Sequence, residues 1–434
     1  MKLIASFSEK INKLDKKENM IFFNDSLEIF YKKNFNAKIK SNDYLSNKKI
    51  LDKYYKSSIK YYDIYLKIIS SELNKIHNLK YPIKYWEIVL GYWLIKFIQS
   101  IYPVYLQKKY ILKKYKFKEL YFSKKNSDIL INKNFSDYVK NSSKKEWFDQ
   151  IIKIIFKKKF SVKFENNYFY KTKSSVTKFI IKIFYELIYW ITPFSAFNTI
   201  CLDNNIYYPQ KNKFNTSISE YIKKNLNFYK KKKSLPILID NKNNYIANQS
   251  KKNIYDINLR NKLFKNLNKN NEFDKIFIEC LKISLPIDFV EGYNDVKKIF
   301  GLPKKIDKIF NVGPNLGEFP LINWIAFNIS QNKAKLYLHQ VGGMYGMSKN
   351  NISEFYDLKV ADCFFSWGGF YKSKKIKKIK SEYLKLLENK KFNNKIAKNI
   401  VIVCANLNLS KRLREWYSSI IYLCSSFAIH FIIF

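Results

Sequence analysis

Arginine is nearly missing from this chain. Of its 80 basic residues only Arg260, Arg412 and Arg414 are arginine, while the formal charge reaches +45. Phosphate and base readers draw on arginine's bidentate fork, so the charge alone does not make a nucleic-acid partner the first expectation. Lys, Asn, Ile, Phe and Tyr are abundant together, the imprint of an AT-rich coding bias that fills solvated positions with lysine. A basic nucleic-acid-binding protein stays as a third reading. What the charge does imply is residual attraction to anionic headgroups and phosphates. Histidine is as scarce, with His77, His339 and His430 only, and the five cysteines (Cys201, Cys280, Cys363, Cys404, Cys424) contain no C-x-x-C pair. These counts argue against a zinc site and for reduced, mostly buried thiols in a cytoplasmic protein. The apolar run in MKLIASFSEKI is too short for a signal peptide.

What is present is apolar bulk. The chain has 434 residues, 47% hydrophobic and 18% aromatic, enough for sizeable cores and, by length, two domains. KLIASF and MIFF read as opening strands of an α/β layer. ILDKYYKSSIKYYDIYLKIISSELNKIH places apolar residues three and four apart, a long amphipathic helix. Tyr85–Leu106 reads as a second, buried helix, because Glu87, Lys96 and Gln99 interrupt a membrane span; Pro103 should end or kink it. Lys178–Phe194 reads as a further core helix, and 203–233 as a solvated linker. LPILID, IDFVEGY (Ile287–Tyr293) and KIFNV (Lys308–Val312) are strand candidates, with one helix over Ile257–Ile283. A helix is expected after GPN, with Glu318 and Pro320 in its first turn. NIVIVCANL is expected to open a second parallel sheet. Residues 417–434 read as a native tail, a membrane anchor, or the frameshifted or truncated start of a second domain.

Half of the chain's ten glycines fall between Lys333 and Phe370. AKLYLHQ reads as a buried strand, Gly342, Gly343 and Gly346 as a loop around Tyr345, and NNISEFYDLKV as a helix capped by Asn350 or Asn351. DCFFSWGG reads as a second strand ending at Trp367 and Gly368. Strand, glycine loop, helix, strand is the layout with which α/β proteins present a ligand at the carboxyl end of a sheet. The spacing fits neither the dinucleotide fingerprint nor a phosphate-binding P-loop. Glu291, read at a strand's carboxyl end, is a candidate substrate contact. Glu354 and Asp362 are candidates to position substrate hydroxyls or orient the loop.

These segments resemble a family of transferases from bacterial surface-polysaccharide gene clusters, similar to glycosyltransferases of the two-Rossmann-domain (GT-B) kind. The likeness rests on LNKIHNLKYPIKYWEIVLGYWLIKFI (73–98), on FVEGY (289–293), and on QVGGMYG (340–346) followed by SEFYDLKVADCFFSWGG. It implies an amino-terminal Rossmann-like domain over 1–390, with helical insertions at about 48–120 and 146–200, and an incomplete second Rossmann-like domain over 391–434. It further implies transfer of a sugar or related group from a nucleotide-activated donor to a carbohydrate or lipid-linked acceptor, with no cofactor and no metal. The charge, separately, makes peripheral contact with the anionic inner face of the membrane an expectation. Gln340, Gly342, Gly343, Tyr345, Gly346, Glu291, Glu354, Asp362, Trp367 and Gly368 would bind substrate. The family's motif histidine is Val341 here. His339, two residues earlier and about 7 Å away along a strand, is the candidate catalytic base, and a catalytically inactive, truncated homologue is the alternative.

Overall fold

In the computed structural model, α1 (Lys48–His77) and α2 (Ile83–Lys114) form an antiparallel hairpin joined by a short turn at Asn78–Pro82. Residues 2–4, 20–22, 39–40, 48–116, 119–121, 129–156, 199–203, 237–240, 246–247, 255–265, 267, 271–297, 299–300, 304–312, 319–340, 345–346, 350–367, 373–379, 400–402 and 431–433 are described; the helix expected over 178–194 and the linker over 203–233 lie almost wholly outside them. α1 buries Leu51, Tyr54, Tyr62, Leu66, Ile69 and Leu73 along one stripe, as the three-four spacing requires. α2 is apolar nearly all round. By length and composition it could cross a membrane, but most of its apolar window is buried inside the protein, so it is the core helix expected.

Of the two outcomes expected at Pro103, an end or a kink, the first does not occur: the helix runs eleven residues past it, to Lys114. A proline withholds the N–H that would bond the carbonyl four residues back. Here that carbonyl belongs to Gln99, and the Tyr54 hydroxyl donates to it at 3.1 Å. The buried acceptor is satisfied from the neighbouring helix.

Gly91 sits where the hairpin meets the next layer. A Cβ there would lie 2.5 Å from Tyr62 Oη and 3.0 Å from Tyr356 Cε2. Neither ring can yield easily, since Tyr62 is fully buried and the Tyr356 hydroxyl donates to the Glu87 and Ile88 carbonyls. Gly91→Ala gains about 1 kcal/mol of helix propensity against an overpacking cost of about 1–3 kcal/mol. A lowered thermal midpoint is the expected result; a raised one would mean that the rings move aside.

Shorter helices complete this body: α3 (Phe135–Ser142), α4 (Lys145–Phe156), α5 (Ile257–Leu263) and α6 (Glu272–Ser284). The single helix expected over 257–283 is therefore two. Asn271 starts the second with a capping box, its side chain taking the Asp274 N–H while Asp274 takes the Asn271 N–H. IDFVEGY is not a strand. Pro286 is followed by a 3-10 turn at Ile287–Phe289 and a short helix α7 (Tyr293–Val296). The Ile287 and Asp288 N–H groups donate to the Asn132 and Lys133 carbonyls, which leaves no run of groups for a ladder.

The strands form two separate parallel sheets. In the first, β1 (Lys2–Ile4), β2 (Met20–Phe22), β3 (Ile39–Lys40) and β4 (Glu119–Tyr121) take the order β3-β2-β1-β4. The second joins β5 (Thr199–Asp203), β6 (Ile237–Asp240), β9 (Lys308–Val312), β10 (Lys335–His339), β11 (Cys363–Ser366) and β12 (Ile376–Lys378) in the order β12-β11-β10-β9-β5-β6. A minor antiparallel pair, β7 (Ile246–Ala247) with β8 (Ile299–Phe300), lies outside both sheets. Helix α8 (Phe319–Gln331), with Pro320 in its first turn, leads into β10, and α9 (Ile352–Val360) into β11. Both pack on α2. Chain order reverses at β1/β4 and again at β5/β9, and such reversal points open crevices beyond the carboxyl ends of strands. NIVIVCANL does supply a strand, β13 (Ile400–Ile402), but it pairs antiparallel with β14 (Phe431–Ile433) instead of opening a parallel sheet.

Candidate functional site

β9, β10 and β11 end together, their registers aligning His339 with Val312 on one side and Phe365 on the other. At that edge the Gln340 N–H donates to the Phe365 carbonyl at 2.9 Å. Its side-chain Oε1 accepts from Ser366 Oγ (2.6 Å) and from the Trp367 N–H (3.3 Å). Gln340 thus ties the exits of two strands, and is itself 1% exposed. The His339 ring lies against Trp367, centroids 4.9 Å apart. It is almost wholly buried, and neither ring nitrogen makes a well-formed hydrogen bond among the described residues, the Gln340 backbone lying close enough only to oppose part of the effect of burial. Burial lowers its pKa to about 4, so the imidazole is neutral at physiological pH.

The loop beyond is fastened to α9 at two points. The Tyr345 hydroxyl donates to Asp357 Oδ2 at 2.7 Å, and the Gly346 N–H to Glu354 Oε2 at 2.8 Å. Gly346 has φ 72°, the left-handed region where a side chain strains the backbone. Tyr345 is buried and stacked on Phe364 at 5.6 Å. Asn351 caps α9, its side chain accepting from the Ser353 and Glu354 N–H groups. Asn350 Nδ2 donates to Asp52 Oδ1 on α1 at 3.0 Å, and Tyr92 on α2 meets Ser353 at 3.1 Å. The helix that holds the loop is thereby held to the hairpin.

Two carboxyls under the loop stand above their ordinary range. Asp357 is fully buried and leaves Oδ1 without a partner. Burial pushes its pKa up to about 8; the Tyr345 hydrogen bond opposes this, and Glu354 adds to it. Burial also raises Glu354, against the Gly346 N–H that pulls it down.

The other candidates lie elsewhere. Asp362 stands at the amino end of β11, where its carboxylate accepts the Leu336 N–H at 2.8 Å and its own N–H donates back to the Leu336 carbonyl. It staples the entry of the sheet, at the end away from Gln340. Glu291 is not at a strand end. It holds Arg260 in a two-pronged pair, Nε to Oε1 at 2.6 Å and Nη2 to Oε2 at 2.8 Å, and accepts the Asp256 N–H. With its side chain 8% exposed and every oxygen engaged, it is a structural anchor. Val341, Gly342, Gly343 and Gly368 lie outside the described residues. His77 and Trp86 from one motif meet Tyr293 from another: the His77 ring stacks on Tyr293 at 4.2 Å, and Nε2 lies 3.0 Å from the Phe289 carbonyl. That cluster binds the hairpin to α7 inside the core.

Sequence reasoning missed Asp357 and Arg260. Asp357 carries no signal beyond its place one turn after Glu354. Arg260 does: in a chain that uses lysine almost throughout, a retained arginine marks a position needing a planar fork.

Helices packed on parallel strands make this an α/β protein, and the carboxyl ends of its strands are where such folds place ligands. The comparisons narrow the class. The chain belongs to the LIC12162 family of transferases, whose family model matches residues 9–420. No curated protein and no solved structure matches it. A transferase handles a donor and an acceptor.

Proposed function

We propose that the chain transfers a sugar, or a related group, from a nucleotide-activated donor to an acceptor hydroxyl in cytoplasmic surface-carbohydrate assembly. In this reading the two parallel sheets correspond to the two halves of a GT-B-like body. The observation that carries it is the carboxyl edge of β10 and β11, where the buried His339 ring lies against Trp367 on one face of the sheet and Gln340 ties the two strand exits on the other. Transfer needs the acceptor hydroxyl deprotonated and the leaving phosphate stabilised. In this reading lysines and backbone N–H groups supply the second. His339 suits a narrower task than general base. A group held near 4 takes a proton poorly at neutral pH, whereas a neutral imidazole donates from one nitrogen and accepts at the other. It therefore orients a substrate hydroxyl.

Calorimetric titration with UDP-, GDP- and CMP-activated sugars tests this. One donor class should bind in the micromolar range, and His339→Ala should weaken it about tenfold, the worth of one hydrogen bond, with an unchanged circular dichroism spectrum. Binding to none of them would end the nucleotide-sugar reading and leave only membership of a transferase family. Val341 in the motif position favours a second reading, an inactive homologue. Tight donor binding with no release of nucleotide in the presence of acceptor extracts would select it.

A further inference from the structure

We propose that the open end of the α1–α2 hairpin docks on anionic phospholipid bilayers. The hairpin is antiparallel: Tyr54 reaches Gln99 near one end, and His77 lies beside Trp86 at the other. The first turns of α1 therefore lie along the second half of α2, whose last turns run on past them at the same end of the hairpin. On α1, Lys49, Lys53, Lys56 and Lys60 are all exposed. Their spacing of four, three and four puts them on one stripe about 16 Å long. On α2, Lys109, Lys113 and Lys114 are exposed, with Leu112 between them 50% exposed. Residues 105–116 contain no acidic side chain. The one carboxylate in the first turns of α1, Asp52, is turned to Asn350.

The chemistry favours a bilayer over a nucleic acid. The patch is lysine without arginine, so it offers point charges and no bidentate fork. Tyrosines interleave with the lysines: Lys114 Nζ lies 5.1 Å from the Tyr110 ring centroid and 5.3 Å from that of Tyr115, and Lys109 Nζ 5.7 Å from that of Tyr105. Amphipathic rings, long-stemmed cations and an exposed leucine suit the boundary between headgroups and acyl chains. The surface stands independently of the transfer reading; only the further step, that a lipid-linked acceptor is met there, rests on it.

Sedimentation of the full chain with phosphatidylcholine vesicles, with and without phosphatidylglycerol, tests the surface. Binding should require the anionic lipid and fall with salt. Each lysine at such a surface contributes about fivefold in partitioning, so K109Q/K113Q/K114Q should lose about a hundredfold. The triple K80Q/K265Q/K305Q removes the same charge from exposed positions away from the patch and should lose far less. Equal losses in the two triples would mean that the net charge acts without a patch, and would overturn the proposal. So would binding indifferent to phosphatidylglycerol, or a first triple that weakens duplex DNA binding more than vesicle binding. None of these readouts uses a nucleotide sugar, so failure here leaves the donor titration untouched.

Discussion

Cutting Arg260 back to alanine is expected to destabilise the protein by about 3–5 kcal/mol, the cost of stranding one partner of a buried pair. Arg260 is fully buried. Its Nη1 donates to the Leu285 carbonyl at 2.7 Å and the Lys282 carbonyl at 3.0 Å, while Nε and Nη2 take both oxygens of Glu291. The guanidinium also lies 4.6 Å over the Tyr255 ring. Alanine would strand a carboxylate and two carbonyls together. The effect should spread to α5, because Glu291 also receives the N–H of Asp256, which caps that helix. In urea the midpoint should drop with an unchanged slope. Arg260→Lys should recover little, since one ammonium cannot reach both oxygens and the carbonyls. A lysine variant within about 1 kcal/mol of wild type, the worth of one hydrogen bond, would show that charge alone suffices and refute the fork argument.

Asp357 should make stability fall with rising pH, opposite to the usual carboxylate. Its folded pKa stands at about 8 against an ordinary value of 3.8. Between those values the folded state holds a proton that the unfolded chain has released. Stability contributed by that proton is complete below about pH 4, is lost as pH rises towards about 8, and changes no further above it. Tyr345, Glu354 and Tyr356 lie beside this carboxyl; none of them brings a positive charge to hold it ionised. Asp357→Asn carries no ionisable proton, and its amide oxygen can still receive the Tyr345 hydroxyl. The variant should match wild type near pH 4.5 and exceed it on the order of a few kcal/mol at pH 8.5. Thermal midpoints across that window measure the difference. A variant that is less stable than wild type at pH 8.5 would show that the native carboxylate is ionised and paired.

The fold was legible where local chemistry and tertiary context agree. The stripe of α1, the cap at Asn351, the strands β9, β10 and β11, and the first-turn proline of α8 all follow from spacing and residue type. Misreadings came where a distant partner decides. FVEGY is apolar enough for a strand, but Pro286 and the carbonyls of Asn132 and Lys133 turn it into a 3-10 corner. Glu291 reads as a site residue until its partner 31 positions away is placed. Of the candidates, Gly346 meets Glu354 and Tyr345 meets the neighbouring Asp357, while Gln340 is engaged at the strand exits. Asp362 falls at the opposite edge because two residues separate the helix end from the strand start. The burial that neutralises His339 and raises Asp357 belongs to the packed body and leaves no trace in the local sequence.

Pro103 has a meaning beyond tolerance. An unbroken α2 would present an unvarying ladder along its length, and the first helix could slide by a turn at small cost to its greasy contacts. The proline leaves one bare acceptor at a single depth, and among the described residues the Tyr54 phenol meets it. A residue usually counted as a flaw in a helix thus acts as an index mark, setting the axial alignment on which the placement of every layer above it depends.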